Sequence, residues 1–273
     1  MKVGIIGHTG YIGPRHVKAW DELGVKWEGC NTTGDWTEFI KRDFDIIDIA
    51  TPIWLHPVMI RESIKAGKDV ICEKPLANNL KDAYEIIELS KFTKKKIGIV
   101  FQCRYNRKFL ALKKEIEDGV YGQIKMAVFQ YFRNKDDEHF KKRPWRKSIN
   151  EAGGFAALNI VIHHIDQLQW MFGFPCQTYG VVAPHQVGYD VEDTFIGTFK
   201  FPTGTIGAMI CSTRANPPKH TELSIYGTKG HKTIQMRENE YHKDNFKAFI
   251  EGKGYVTPVE AVKSLRLCLS ITK

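Results

Sequence analysis

The sequence has no apolar run near the ~18 residues that would suggest a membrane span, so none is expected. Its six cysteines, Cys30, Cys72, Cys103, Cys176, Cys211 and Cys268, form no CxxC pair and no zinc spacing. Four of them lie inside apolar runs, which predicts reduced, mostly buried thiols in a cytoplasm. There is no internal repeat, no low-complexity tract and no linker longer than a loop, so repeat architectures are excluded. The opening MKVGIIGHTG lacks the charged, apolar and cleavage regions of a signal peptide and begins a strand at once. Nor is the positive charge concentrated. The formal net charge of +9 is spread along the chain, with two dense spots at Lys94 to Lys96 and Lys141 to Lys147. Such a balance suits an anionic metabolite or a dinucleotide, and nucleic acid is not expected as a partner.

What remains is an ordinary globular composition, 42% apolar and 26% charged over 273 residues, long enough for two domains. Strands are expected at Val3 to Ile6, Val25 to Cys30, Asp45 to Ala50, Asp69 to Cys72 and Ile97 to Phe101. Helices are expected between them at Tyr11 to Leu23, Asp35 to Arg42, Leu55 to Lys65 and Leu80 to Phe92. Alternation at these lengths means βαβ units and a parallel sheet. Around Gly119 the pattern changes. A longer strand, Gln123 to Phe132, leads into a polar, basic loop over 134 to 151 and a helix from Phe155 to Phe172. Strands near Thr178 to Val187, Asp193 to Phe201, Gly204 to Cys211 and Glu222 to Tyr226 follow, then helices at Asn239 to Glu251 and Pro258 to Ile271. The expected fold class is an α/β Rossmann domain, residues 1–119, followed by an α+β domain with an open, mainly antiparallel sheet, residues 120–273.

The first strand runs into GHTGYIG, which opens a helix. Three glycines alone are as readily a plain turn. In this place they let the backbone approach a pyrophosphate, while the helix start presents free N–H groups to it. Gly7, His8, Thr9, Gly10, Tyr11 and Ile12 are therefore candidate dinucleotide contacts, with one residue more than GxGxxG between the first two glycines. The acid that should bind the adenosine ribose about 20 residues on is missing, and the position reads Cys30-Asn31-Thr32-Thr33. Asn31 is the candidate there. With no cation ready for a 2′-phosphate, NAD is preferred and NADP stays open.

The stretch DIIDIATPIWLHPVMIRESIKAGKDVICEKPLANNLKDA resembles the signature of the Gfo/Idh/MocA oxidoreductase family, in which Glu-Lys-Pro is a hallmark. A second stretch, GGFAALNIVIHHIDQLQWMFG, is similar to that family's GGGxLxDxGxHxxDxxxWxxG. The resemblance implies Lys74 and His163 as catalytic groups, with Thr51, Pro52, His56, Glu73, Lys74 and Gln102 on the cofactor side. It sets Asn159 at the family's usual Asp. Physically, oxidising a secondary alcohol requires a base for the hydroxyl proton and a partner for the developing alkoxide. His163 suits the first role and Lys74 the second. Asn159 and His163 are four residues apart, so a continuous helix would give them one face. Asp166 would orient His163 or His164. A metal held by His163, His164 and Asp166 is not expected, because adjacent helical positions diverge by about 100°. A lysine before proline is otherwise a plain surface charge, and a histidine in an apolar helix a plain core residue. A local helix-start role for His56 stays open.

Finer features, GHTGYIGPRH, FQCRYN, PWRKS and the closing GKGYVTPVEAVKSLRLCLSI, resemble the nucleotide-sugar branch of the family, the UDP-N-acetylglucosaminuronate 3-dehydrogenases. That implies an anionic nucleotide-sugar substrate, with Lys74, Arg104, Arg143, Trp145, Arg146, Asn159 and His163 as candidate contacts. The loop HFKKRPWRKS can grip a diphosphate and stack a base, or be no more than a solvated basic loop. The alternatives are a dehydrogenase of a free sugar or cyclic polyol, and a non-catalytic dinucleotide-sensing regulator. Relatives pair sheets between subunits, so a homodimer or homotetramer is expected. Compared with relatives, length is missing after the second strand and around residues 212 to 240.

Overall fold

A computed structural model describes residues 1–183, 188–216, 219–236 and 241–272. By internal contacts the chain divides into two compact units, Met1–Gln102 with Glu240–Val262, and Cys103–Asn239 with Lys263–Lys273. The first unit thus stops before Gly119 and takes back a segment from near the end of the chain. Residues 239 and 240, expected at the start of a helix, lie outside the described residues, as do 184–187 of the strand expected over Thr178 to Val187.

In the first unit the elements run β1 (Lys2–Ile6), α1 (Gly13–Glu22), β2 (Lys26–Cys30), α2 (Trp36–Lys41), β3 (Ile46–Ile49), α3 (His56–Lys65), β4 (Asp69–Glu73), α4 (Leu80–Phe92) and β5 (Ile97–Val100). The strands pair in parallel in the order β2-β1-β3-β4-β5. β3 and β5 are buried at every residue, which is why their sequences do not alternate, and the one acid in them, Asp48, is buried with the rest. Local chemistry sets the helix starts. Asp35 accepts the Glu38 N–H at 3.1 Å to begin α2, and Asn79 accepts the Asp82 N–H at 3.0 Å to begin α4. The core on one side gathers Val3, Ile5, Trp20, Ile46, Ile71 and Val100 with Phe246 and Phe249. The two phenylalanines explain the returning segment. They lie on α9 (His242–Glu251), and Phe246 stacks on Trp20 with ring centroids 4.5 Å apart. Beyond that helix, Val256 accepts the Ile99 N–H at 2.8 Å.

The second unit contains α5 (Arg107–Glu117), β6 (Ile124–Phe132), the short helices α6 (Asp137–Lys141) and α7 (Ile149–Ala152), and a π-helical turn Ala156–Ile160. There follow α8 (Ile162–Phe172), β7 (Gln177–Val182), β8 (Thr194–Lys200), β9 (Ile206–Ser212), β10 (His220–Gly227) and β11 (His231–Gln235). α10 (Pro258–Ile271) closes the chain. The sheet order is β11-β10-β6-β9-β8-β7, antiparallel except between β6 and β9. This is the open, mainly antiparallel sheet expected. Sequence reading missed α5, although Asn106 caps it by accepting the Lys108 and Phe109 N–H groups at 3.0 and 3.2 Å. It also missed β11, whose five residues HKTIQ are too short and polar to stand out. One face of the sheet is lined by Phe129, Tyr131, Phe195, Phe199, Met209 and Cys211, all buried. The opposite face carries exposed Tyr179, Val181, Ile196, Ile206, Met126 and Tyr226. Among the described residues no helix is long and apolar enough to cross a membrane.

Because Phe246 is fully buried against Trp20, Phe246→Ala removes a large aromatic without a replacement. Urea denaturation should show a loss of about 3–5 kcal/mol.

Candidate functional site

The C-terminal ends of β1 and β3 flank the point where strand order reverses, the usual ligand crevice of an open α/β sheet. Gly7 turns there with φ +89°, and a Cβ on it would meet the Ala50 carbonyl oxygen at 2.4 Å. No other residue type fits that turn. The N-cap of α1, Ile12, offers no side-chain bond, and the first turn holds no acid. The helix therefore begins with N–H groups suited to an anion. Among the described residues of this unit, His8 Nδ1 and Gln102 Oε1, the latter just past β5, are two of five side-chain atoms buried without a hydrogen-bond partner. An open helix start, a glycine turn and an orphaned acceptor at the sheet's C-terminal edge fit a dinucleotide. Thr9 donates to Asn31 Oδ1 at 2.6 Å, so the residue added to the loop is tied to the position where the ribose acid is missing. Asn31 is left to offer its NH₂ group, a donor where most NAD sites have an acceptor. Tyr11 is 54% exposed beside this loop, with Arg15 over its ring.

Behind the loop lies a buried network that sequence reading did not find. His16 on α1 places Nδ1 at 2.9 and 3.0 Å from the Asp48 carboxylate on β3, and Nε2 at 3.0 Å from Glu73 Oε1 at the end of β4. Trp20 donates to Asp48 at 2.7 Å, and His242 Nε2 lies 3.7 Å from Glu73. Burial alone would lower the His16 pKa, but Asp48 and then Glu73 overcome it and raise it to about 10. Burial likewise opposes the charge of Glu73, yet the two histidines hold its carboxyl well below the usual range. His242 is kept neutral by burial. His16, Glu73 and His242 have the donor set of a metal site, with ligand atoms within 4.8 Å of one another. The direct 3.0 Å bond from His16 to Glu73 fits an imidazolium in the cation's place. The signals available were the acid inside the apolar run DIIDIA and a histidine on the inner face of α1, neither of which names its partner.

This corrects two expectations. Glu73 faces inward to His16 instead of toward a cofactor, and its Oε2 accepts the N–H of Lys74 at 3.2 Å. His56 is fully buried with its nitrogens 2.7 Å from the Pro75 oxygen and 3.0 Å from the Thr51 oxygen. It braces the chain between Thr51 and Pro75, a role different from the helix-start one left open for it. Thr51 and Pro52 follow β3, and Lys74 follows β4 with a cis peptide to Pro75.

In the second unit the helix expected over Phe155 to Phe172 is divided. The Ile160 and Val161 N–H groups bond five residues back, to Phe155 and Ala156, and α8 starts afresh at Ile162. Asn159 and His163 therefore do not share one continuous α-helical face. Asn159 donates its amide to the carbonyls of Ala152 and Gly154. His163 is buried in the first turn of α8. His164 stacks on Phe129 at 4.2 Å and pairs with Gln167 at 3.1 Å, a structural role. Asp166 orients neither histidine. It takes Arg104 Nε at 2.6 Å and Nη2 at 2.8 Å, with Ser264 at 2.8 Å, and Arg104 lies over Trp170. Arg104 is thus held to Asp166 through Nε and Nη2. In the basic loop, Arg146 donates to His139 Nε2 at 2.8 Å, Arg143 lies 3.4 Å from Nδ1, and Arg146 also stands over Trp145. Burial, then Arg146, Lys135 and Arg143, push the His139 pKa down to about 3. Sequence reading missed His139, whose role depends on a fold of its own loop.

A parallel sheet with a glycine loop at its switch point, joined to an open antiparallel sheet, defines a dinucleotide-binding protein of two units. Residues 25–101 match the family model described as "Oxidoreductase family, NAD-binding Rossmann fold", and residues 109–232 match the GFO/IDH/MocA C-terminal domain. The chain belongs to the Gfo/Idh/MocA family. It is 29% identical over 203 residues to the 2,7-anhydro-N-acetylneuraminate hydratase of Escherichia coli, 71% of this chain and 52% of that protein. It is 27% identical over 225 residues to the levoglucosan dehydrogenase of Pseudarthrobacter phenanthrenivorans, 73% of this chain and 58% of that one. The chain thus spans little more than half the length of these curated relatives. Its fold is like that of the WlbA dehydrogenase from Bordetella pertussis, solved with NADH and UDP-GlcNAcA, at TM-score 0.88 and 22% identity over 99% of this chain and 94% of that one.

The charge network sets a pH dependence. The folded pKa of His16, about 10, exceeds the unfolded 6.5, so the folded state holds more protons between those values. The stability from His16 is complete below pH 6.5 and is lost as pH rises through 10. His16→Gln should lower stability by about 3–5 kcal/mol at pH 6 and flatten the decline of melting temperature from pH 6.5 to 10, as calorimetry would read.

Proposed function

We propose that the chain is an NAD(P)-dependent dehydrogenase of a sugar secondary hydroxyl, most closely suited to C3 of a UDP-N-acetylglucosaminuronate-type nucleotide sugar. The observation that carries the reading is the convergence of Arg143, Arg146 and Lys135 on one neutral imidazole, His139. Such a concentration of cations is suited to a substrate with several negative charges. The fold likeness to an enzyme solved with UDP-GlcNAcA supports it. NAD is preferred over NADP because the end of β2 offers no cation for a 2′-phosphate.

In this reading the Gly7 to Ile12 loop would hold the dinucleotide, which would supply the two-electron acceptor for oxidation of the carbinol. His163 takes the hydroxyl proton as that bond breaks. The Lys74 ammonium stabilises the alkoxide or shares its proton. Glu73, bonded to the Lys74 N–H and locked by His16, fixes the main chain that presents that lysine. Asn159 Oδ1 accepts a sugar hydroxyl, Arg143 and Arg146 hold the diphosphate, and Trp145 stacks on the base. A second reading, a dehydrogenase of a free sugar, is favoured by the likeness to levoglucosan dehydrogenase. A cytoplasmic setting fits the absence of any disulfide among the described residues.

NADH formation should be confined to the UDP-uronate when that compound, UDP-N-acetylglucosamine, glucose and myo-inositol are compared, with and without 2-oxoglutarate. Lys74→Ala and His163→Ala should each reduce it about a hundredfold or more. Turnover with free sugars alone would transfer the reading to the second class.

The exposed apolar face of the β7 to β10 sheet supports pairing with a second copy as a homodimer, or a homotetramer built from such pairs. Light scattering at micromolar concentration should give at least twice the chain mass, and Val181→Lys with Ile196→Lys should give monomers. A monomeric wild type would exclude it.

A further inference from the structure

The helical segment that carries Asn159 and His163 has no ordinary N-cap. The residues before it are Gly153 and Gly154, which have no side chain to offer. A helix start leaves several N–H groups without partners, and an adjacent polar residue normally serves them. Here one residue distant in sequence does so. Glu192, 3% exposed and two residues before β8, accepts the Phe155 N–H at 3.1 and 3.2 Å and the Ala157 N–H at 2.8 Å through its carboxylate. Its main-chain oxygen accepts the intervening Ala156 N–H at 3.1 Å. Three consecutive donors thus end on one residue. Gly154 is shaped for this, because its φ is +145° and a Cβ would lie 3.3 and 3.4 Å from the two carboxylate oxygens.

The turn so held is the π-helical one, Ala156–Ile160. Turns of this kind are rare, are favoured at functional sites, and have to be sustained by their surroundings. If the Ile160 N–H bonded four residues back instead of five, Asn159 would rotate relative to His163 by about 100°. We propose that Glu192 is a positioning residue: by engaging three successive N–H groups it selects the π-turn and so sets Asn159 against His163. It touches neither substrate nor cofactor. The inference rests on the assignment of Asn159 and His163 to the reacting hydroxyl.

Two variants test it. Glu192→Gln keeps the shape but turns an acceptor into a donor facing N–H groups, while Glu192→Asp keeps the charge on a shorter arm. Glu192→Gln should lower kcat about ten- to a hundredfold with KM and NADH affinity within about threefold of wild type, and Glu192→Asp should recover part of that loss. Independently of turnover, hydrogen exchange in Glu192→Gln should show lost protection of the amides of residues 155 to 161, with the strands of the same sheet unchanged. Wild-type kcat in folded Glu192→Gln, unchanged exchange at those amides, or a loss carried by KM alone would overturn the proposal. Failure of both variants to fold would also overturn it, since Glu192 would then be a general stabiliser. A wild type inactive on every alcohol offered would defeat the functional reading instead, and the exchange experiment would still decide whether Glu192 holds the turn.

Discussion

A fully buried imidazolium between two carboxylates is the constraint on which the first unit depends. His16 comes from the first helix, Asp48 from the third strand and Glu73 from the fourth, so one charge ties that helix to two strands that the backbone ladder already pairs. A lone carboxylate at 0% exposure would carry a desolvation penalty of several kcal/mol, and the arrangement is stable only because every partner is present. The α9 segment completes it, setting His242 against Glu73 and Phe246 against Trp20. A helix distant in sequence is therefore part of the Rossmann core. The next residue after Glu73 is Lys74, so a rigid network ends on the main chain that presents the proposed catalytic lysine.

The second unit uses buried acids in a related way. Asp166 absorbs Arg104, and Glu192 absorbs three main-chain N–H groups. In both units the acids near the expected site are engaged with the protein itself. The basic loop is the opposite case. Its cations gather about His139, whose neutrality at ordinary pH follows from their field together with burial. That gathering of cations beside one neutral ring is the ground on which an anionic substrate is proposed.

In the first sheet the chain follows the order β2-β1-β3-β4-β5. After β2 it passes through one small helix directly to the strand on the far side of β1, so β2 is the sheet edge. Among the described residues no strand lies outside β2, where the fuller 3-2-1-4-5-6 arrangement has one. Beyond the end of β2, the Thr9 hydroxyl ties the glycine loop to Asn31.

By itself the sequence determined the class of fold, the glycine loop, the two family motifs and nearly every strand of the first sheet. These are signals of period and spacing, set by neighbours along the chain: unbroken apolar runs for buried parallel strands, glycines where only glycine can turn. It also named Lys74 and His163 by resemblance. Tertiary structure alone decided what the polar side chains near them do. Resemblance set Glu73, His56 and Arg104 among the candidate contacts, and each is engaged by a partner 57, 19 or 62 positions away. Similarly, the break between Asn159 and His163 follows from a carboxylate 35 residues downstream of Ala157. A hydrogen bond depends on where two atoms meet in space, and no local pattern records a meeting between residues that only folding brings together.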